Sequence, residues 1–252
     1  MSADLAIRQR VLDLQASRIR EVANAGMGRA DVLAFWFGES DETTPAPIRE
    51  AAIASLHAGE TFYSHNLGLP ELREALADHT RRQHPEAQAV DATRIAVTSG
   101  GVNALMLAAQ SLIDAGDHVV AVTPVWPNLV AQAHIMGADV QCVPLQVIDG
   151  AWRLDLPALL SSITERTRAL IVNAPNNPTG WTLSRDEQTQ ILAHCRRTGT
   201  WVVADEVYER LYFAPEASVA PSFLDIAEAD DRLVVVHSFS KSFLMTGWRL
   251  GW

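Results

Sequence analysis

The sequence predicts an α/β protein, a mostly parallel sheet flanked by helices, and three observations carry that prediction. Five short runs are β-branched and almost continuously apolar: 94–98 (RIAVT), 118–123 (HVVAVT), 169–173 (ALIVN), 201–205 (WVVAD) and 233–238 (LVVVHS), with a weaker sixth at 139–145 (DVQCVPL). Runs of this kind suit strands covered on both faces, as parallel sheets are. Segments with helical spacing lie between them, and that alternation selects the α/β class over a sandwich. Finally, residues able to do chemistry stand directly after the strand ends, where open α/β sheets bind their ligands.

From the N-terminus, Leu5, Val11, Leu12, Leu14, Ile19 and Val22 make a rough helical stripe that Gly26 and Gly28 end. The run 31–38 (DVLAFWFG) reads as a short strand and 39–47 (ESDETTPAP) as a loop. Helices are expected over about 47–58, 69–83, 102–114, 127–136, 155–163 and 184–197. No internal repeat or low-complexity tract interrupts the pattern.

Composition narrows the function classes. At 252 residues, 48% hydrophobic and 20% charged, the chain reads as an ordinary globular protein with room for a sizeable core. A net charge of −10 argues against nucleic acid or an anionic membrane as partner. No apolar stretch approaches the ~18–20 residues that span a bilayer, and the N-terminus has no continuous apolar core of a secretory signal. Asp4, Asp13 and Glu21 argue against a transit peptide. Cys142 and Cys195 are far apart and without metal-ligand spacing, so they read as free thiols of a cytoplasmic protein. No histidine has a partner at metal-ligand spacing, and no metal site is expected.

The strand ends carry the chemistry. Ser99-Gly100-Gly101 follow the first run, Pro124-Val125-Trp126-Pro127-Asn128 the second and APNNPTG (174–180) the third. Asp205 ends the fourth and leads into Glu206-Val207-Tyr208, while Phe239-Ser240-Lys241 follow the fifth. Lys241 is the only lysine among 20 basic residues. A guanidinium could replace any lysine used for its permanent charge, whereas only an amine can lose its proton and condense with a carbonyl. A lone lysine left by chance on a solvated face is the plain alternative.

The neighbouring residues favour the amine chemistry. Pyridoxal phosphate needs an amine for its aldehyde, a carboxylate for its ring nitrogen, donors for its phenolate oxygen and a phosphate cradle. Asp205 can supply the carboxylate; a charge pair ~4 Å apart at an effective dielectric of ~20 gains about 4 kcal/mol, enough to hold a pyridine nitrogen protonated. Asn177 and Tyr208 can donate to the phenolate oxygen, and Trp126 can stack on the ring. The backbone amides of Gly100, Gly101 and Val102 can meet the phosphate at a helix start, with Ser238, Ser240 and Arg249 completing the cradle. Plainer readings stand beside these: Asp205 as a helix cap, Trp126 as core and the Asn177-Pro178-Thr179-Gly180 stretch as a turn.

SFSKSFLMTGWRLG (238–251) resembles the pyridoxal-phosphate attachment signature of class I aminotransferases, with serine, lysine, glycine and arginine in register. NAPNNPTG (173–180) is similar to the asparagine–proline motif of that family, and DEVYERL (205–211) to its aspartate–tyrosine motif. TPVWPN (123–128) resembles the segment with the stacking aromatic, FGESDETTP (37–45) the N-terminal glycine loop, and YSHNLGLPELREAL (63–76) the tyrosine–glycine–leucine–arginine stretch. The likeness, aspartate aminotransferase-like in style, covers about residues 17–252.

This resemblance implies a fold type I large domain over 45–252, preceded at 1–44 by an arm and part of a small domain. It implies Lys241 as Schiff-base anchor and proton carrier, Asp205 at the ring nitrogen, and Asn177 and Tyr208 at the phenolate oxygen. Gly38 is expected at the substrate carboxylate, with Trp126 and Asn177 also facing substrate. Tyr63 is expected to reach the phosphate of a neighbouring subunit, which makes a homodimer. At Val102 relatives often carry a side-chain donor, so the cradle is expected to be slightly weaker here. The family continues well past position 252, and the chain reads as a fragment of a longer protein. The implied reaction is ping-pong transfer of an amino group between an L-amino acid and a 2-oxo acid. A β-lyase, a cyclopropane-forming synthase, a cofactor-sensing module and an inactive remnant are the alternatives.

Overall fold

A computed structural model describes residues 7–87, 89–214 and 217–252. Its helices are Gln9–Leu12 (α1), Arg18–Gly26 (α2), Ala46–His57 (α3), Pro70–Gln83 (α4), Gly101–Leu112 (α5), Pro127–Met136 (α6), Leu156–Ser162 (α7), Arg185–Thr198 (α8) and Phe239–Ser242 (α9). The strands are His118–Thr123 (β1), Asp139–Pro144 (β2), Gln146–Ile148 (β3), Ala151–Arg153 (β4), Thr167–Asn173 (β5), Trp201–Asp205 (β6) and Leu233–Val236 (β7).

Five strands form one sheet in the order β2-β1-β5-β6-β7, every neighbouring pair parallel. Strand alternation explains why the runs are apolar throughout. Val120, Val122, Leu170, Val172, Val202 and Ala204 pack with α7 and α8 on one face. Val119, Ala121, Ala169, Ile171 and Val203 pack with α5 and α6 on the other. Each central strand therefore buries both of its faces, and helices cover both sides of the sheet. Local signals set the helix ends: α8 starts with a reciprocal Ser184–Glu187 capping box and stops at Gly199 in the left-handed region.

Three expected elements come out differently. The run 94–98 is not a sheet strand. The carbonyls of Ala92 and Ile95 accept from the Arg73 guanidinium, and ladder pairing is reduced to one antiparallel bridge between Thr98 and Gly251. The run 31–38 is not a strand either: it bends and leaves Leu33 and Phe35 exposed, with no strand beside it among the described residues. The N-terminal stripe is broken into α1 and α2, the second started by the Ser17 side chain accepting from the Arg20 amide; Leu5 lies outside the described residues. One element was unexpected. The β3–β4 hairpin turns through Asp149 and Gly150, at φ 52° and 75°, and an Asp-Gly pair between short apolar runs is the sequence signal for such a turn.

Candidate active site

The C-terminal ends of β5, β6 and β7 open onto one cavity of about 810 Å³. Asp205, the last residue of β6, is 4% exposed. Burial pushes its carboxyl up to about 7; the Val207 amide, which it accepts at 3.3 Å, and the Lys241 charge only partly counter this.

Asn173 ends β5 and ties two strand ends together. Its Nδ2 donates to the Asp205 carbonyl at 2.9 Å, and its Oδ1 accepts from the Asn177 amide at 2.7 Å. Asn176 closes the same loop, accepting from the Thr179 amide and hydroxyl at 3.2 and 2.8 Å. These bonds set Asn177 so that its Nδ2 donates to Tyr208 Oη at 3.2 Å. Tyr208 is thereby given an amide partner on the edge that faces the cavity.

Lys241 sits on the short α9, with Nζ donating to the Gly38 carbonyl and lying 5.6 Å from the centre of the Tyr208 ring. Burial lowers its pKa, Glu39 and Asp205 oppose the change, and Arg249 adds to it. A larger share of neutral amine results, which is the nucleophilic form.

An anion corner lies beside it. As the first residues of α5, Gly101 and Val102 have amides with no carbonyl one turn back to receive them. Ser238 Oγ donates to Ser240 Oγ at 2.9 Å, and Arg249 Nη1 reaches Ser240 Oγ at 3.4 Å. Gly100, at φ 90°, stands behind this wall: a Cβ there would meet Arg249 Nη2 at 2.6 Å. A Cβ on Gly251 would meet the backbone of Gly100 and Gly101 at 2.8 Å, so the corner closes only with glycine.

The structure brings together nearly all residues expected at the site. Lys241, Asp205, Tyr208, Asn177 and Trp126 line the cavity, as do Gly101, Val102, Ser238, Ser240, Arg249 and Gly38. Gly100 stands behind the wall and not on it, and Tyr63 does not line the cavity; it is fully exposed on the segment between α3 and α4. Sequence reasoning missed Asn173, Asn176 and Glu39. The repeated asparagines of NAPNNPTG were the available signal for the first two, and Glu39 carried none. The set suits a flat heteroaromatic ring with a phosphate tail. A buried carboxyl with a single amide partner can take a ring cation, the Asn177–Tyr208 edge can take a ring oxygen, and the helix start with two serines and an arginine can take a dianion.

The family model described as "Aminotransferase class I and II" matches residues 31–252. A probable aspartate/prephenate aminotransferase from Aquifex aeolicus is 36% identical over 223 residues, 88% of this chain and 55% of its own length. An arginine–pyruvate transaminase from Pseudomonas aeruginosa is 37% identical over 233 residues, 92% of this chain and 58% of its own. Among solved structures, the aspartate aminotransferase of Thermotoga maritima superposes with a TM-score of 0.88 at 31% identity, covering 97% of this chain and 65% of that one. The chain thus spans less than two thirds of the length of these relatives. Motifs, parallel sheet, site geometry and likeness agree: this chain belongs to the class I and II aminotransferase family.

Proposed function

We propose that the chain is the cofactor-binding part of a pyridoxal-phosphate-dependent aminotransferase that moves an amino group between an L-amino acid and a 2-oxo acid. The observation that carries this reading is the convergence of one partly desolvated lysine and one under-partnered carboxyl, Asp205, on a cavity with a glycine–serine–arginine anion corner.

When bound, pyridoxal phosphate supplies an electron-poor ring that spreads the electron pair left by a departing α-proton. The protein's residues do the rest. Asp205 holds the proton at the ring nitrogen, and Asn177 with Tyr208 donates to the ring oxygen. Ser238, Ser240, Arg249 and the amides of Gly100, Gly101 and Val102 hold the phosphate, while Trp126 covers the ring face. Lys241 would hold the aldehyde end, and its Nζ is the group placed to take up and return the α-proton. Gly38 lines the substrate side. Residues 1–44 form an arm with part of a smaller domain, and 45–252 the large domain. The exposed Tyr63 fits a role across a homodimer interface. No helix among the described residues is long and apolar enough to cross a membrane, and a cytoplasmic location fits the free cysteines.

The test is titration of the 252-residue chain with pyridoxal 5′-phosphate, followed by absorbance. A new saturable band that is lost in Lys241→Ala and kept in Asp205→Ala supports the reading. A chain that gives no band at millimolar cofactor refutes it. Amino-group exchange between an L-amino acid and a 2-oxo acid is then measured.

A further inference from the structure

We propose that His84 is a positioning residue for the cofactor-facing turn Asp205–Tyr208, acting through Glu209 and Asp225. The inference rests on the reading of Asp205 and Tyr208 as cofactor contacts.

Three residues on the cavity wall, Asp205, Tyr208 and Ser238, each have a chain neighbour buried behind it: Glu206, Glu209 and His237. Those neighbours belong to a polar cluster on the far side of the wall. At its centre is His84, the residue that ends α4, only 2% exposed. Its Nε2 lies 3.1 Å from Glu209 Oε2 and its Nδ1 3.2 Å from an Asp225 carboxylate oxygen. A neutral imidazole has a single N–H, so a ring placed between two carboxylates is satisfied only as the imidazolium, donating from both nitrogens.

The other groups around it agree with that charge. Asp225 also accepts from Arg185 Nη2 at 2.8 Å and from the Ser222 amide at 3.2 Å. Glu206 accepts from the Ser222 hydroxyl and from the Phe223 amide at 3.1 Å. His237 Nδ1 lies 3.8 Å from Glu209, and burial lowers the pKa of both His237 and the nearby His79, which leaves His84 as the charged imidazole. Burial also works against the charge on His84, but its bonds to Asp225 and Glu209 prevail and raise it to about 10. His84 faces both Glu209 and Asp225, and Arg185 adds a second cation to Asp225.

The backbone transmits this anchoring. The Glu209 amide donates to the Glu206 carbonyl at 3.0 Å, and the Glu209 carbonyl accepts from the Ala220 amide at 2.8 Å. Tyr208 lies one peptide from Glu209, so the clamp on Glu209 decides where the Tyr208 ring stands against Asn177. The phosphate corner meets the cluster only through His237, 3.8 Å from Glu209 and not bonded to His84, and otherwise hangs on α5, α9 and Arg249, so loss of His84 should disturb ring contacts more than phosphate contacts.

His84→Gln tests this by titration of the chain with pyridoxal 5′-phosphate and, separately, with inorganic phosphate. The expected result is about a tenfold weaker affinity for the cofactor, the loss that one misplaced charge-assisted hydrogen bond brings, with inorganic phosphate affinity unchanged. Unchanged cofactor affinity, or equal losses for both ligands, overturns the proposal. If the wild-type chain itself binds no cofactor, the reading of the site fails instead, and the two failures are distinguishable. Should His84→Gln not fold, Asp225→Asn removes one anchor more gently and gives the same comparison: a selective loss supports the clamp, and an equal or absent loss refutes it.

Discussion

Asp205 and Glu206 are adjacent, both buried, and opposite in their surroundings. Glu206 faces inward and has a hydroxyl and an amide donor, whereas Asp205 faces the cavity with one amide at 3.3 Å. The same contrast separates Glu209, clamped by His84, from Tyr208, whose hydroxyl accepts from Asn177 at the cavity edge. Buried polar groups in folded proteins are nearly always satisfied, and the exceptions call for an explanation. Glu206 and Glu209 of the inner set find their partners within the fold. The cavity set is incomplete and serves a ligand.

The largest effect that would sharpen this contrast is at Lys241. Lys241→Arg keeps the charge and removes the ability to condense with an aldehyde, so the cofactor absorbance band should vanish; a retained band would move the anchor elsewhere. On the inner side, His84→Ala strands the buried Glu209 carboxylate and leaves Asp225 to Arg185 and the Ser222 amide, and should cost about 3–5 kcal/mol of unfolding free energy in urea titration. A loss below about 1 kcal/mol would place the cluster among surface-like pairs.

The two sides should also differ in pH dependence. Asp205 is raised from 3.8 to about 7 in the folded chain, so its contribution is greatest at low pH and falls as pH rises from about 4 to 7. Asp205→Asn should flatten that fall in the cofactor-free chain; subtracting the two stability curves isolates it. His84 is raised from 6.5 to about 10, so its stabilisation is fully present below 6.5 and is lost as pH rises through 10. The wild-type minus His84→Gln difference should shrink across that window, and a constant difference contradicts the charged clamp. The smallest effect belongs to Val102→Ser, which adds a hydroxyl at the anion corner and should tighten cofactor binding by about threefold, near the low end of a neutral hydrogen bond's worth.

Much of the sheet was legible because two covered faces force a strand to be apolar at every position, as in Val119 to Val122. The run 94–98 has the same composition and still fails as a strand, because ladder pairing depends on a neighbour that no local pattern reveals. Its Ile95 carbonyl went to Arg73, and its Thr98 carbonyl to the Gly251 amide. Lys241, Asp205 and Asn177 were legible because their residue types are scarce or out of place where they occur. Asn173 and Asn176 act through hydrogen bonds to backbone, for which many residues would read alike in sequence. His84 was not legible at all: its partners stand 125 and 141 positions away, and only the fold brings them together.

The central claim is covalent and can be read directly. The chain is mixed with pyridoxal 5′-phosphate, reduced with borohydride, digested and mapped by mass spectrometry. The account predicts a single stoichiometric phosphopyridoxyl group on the peptide that contains Lys241. A label found at the N-terminal amine alone, or no label, contradicts it.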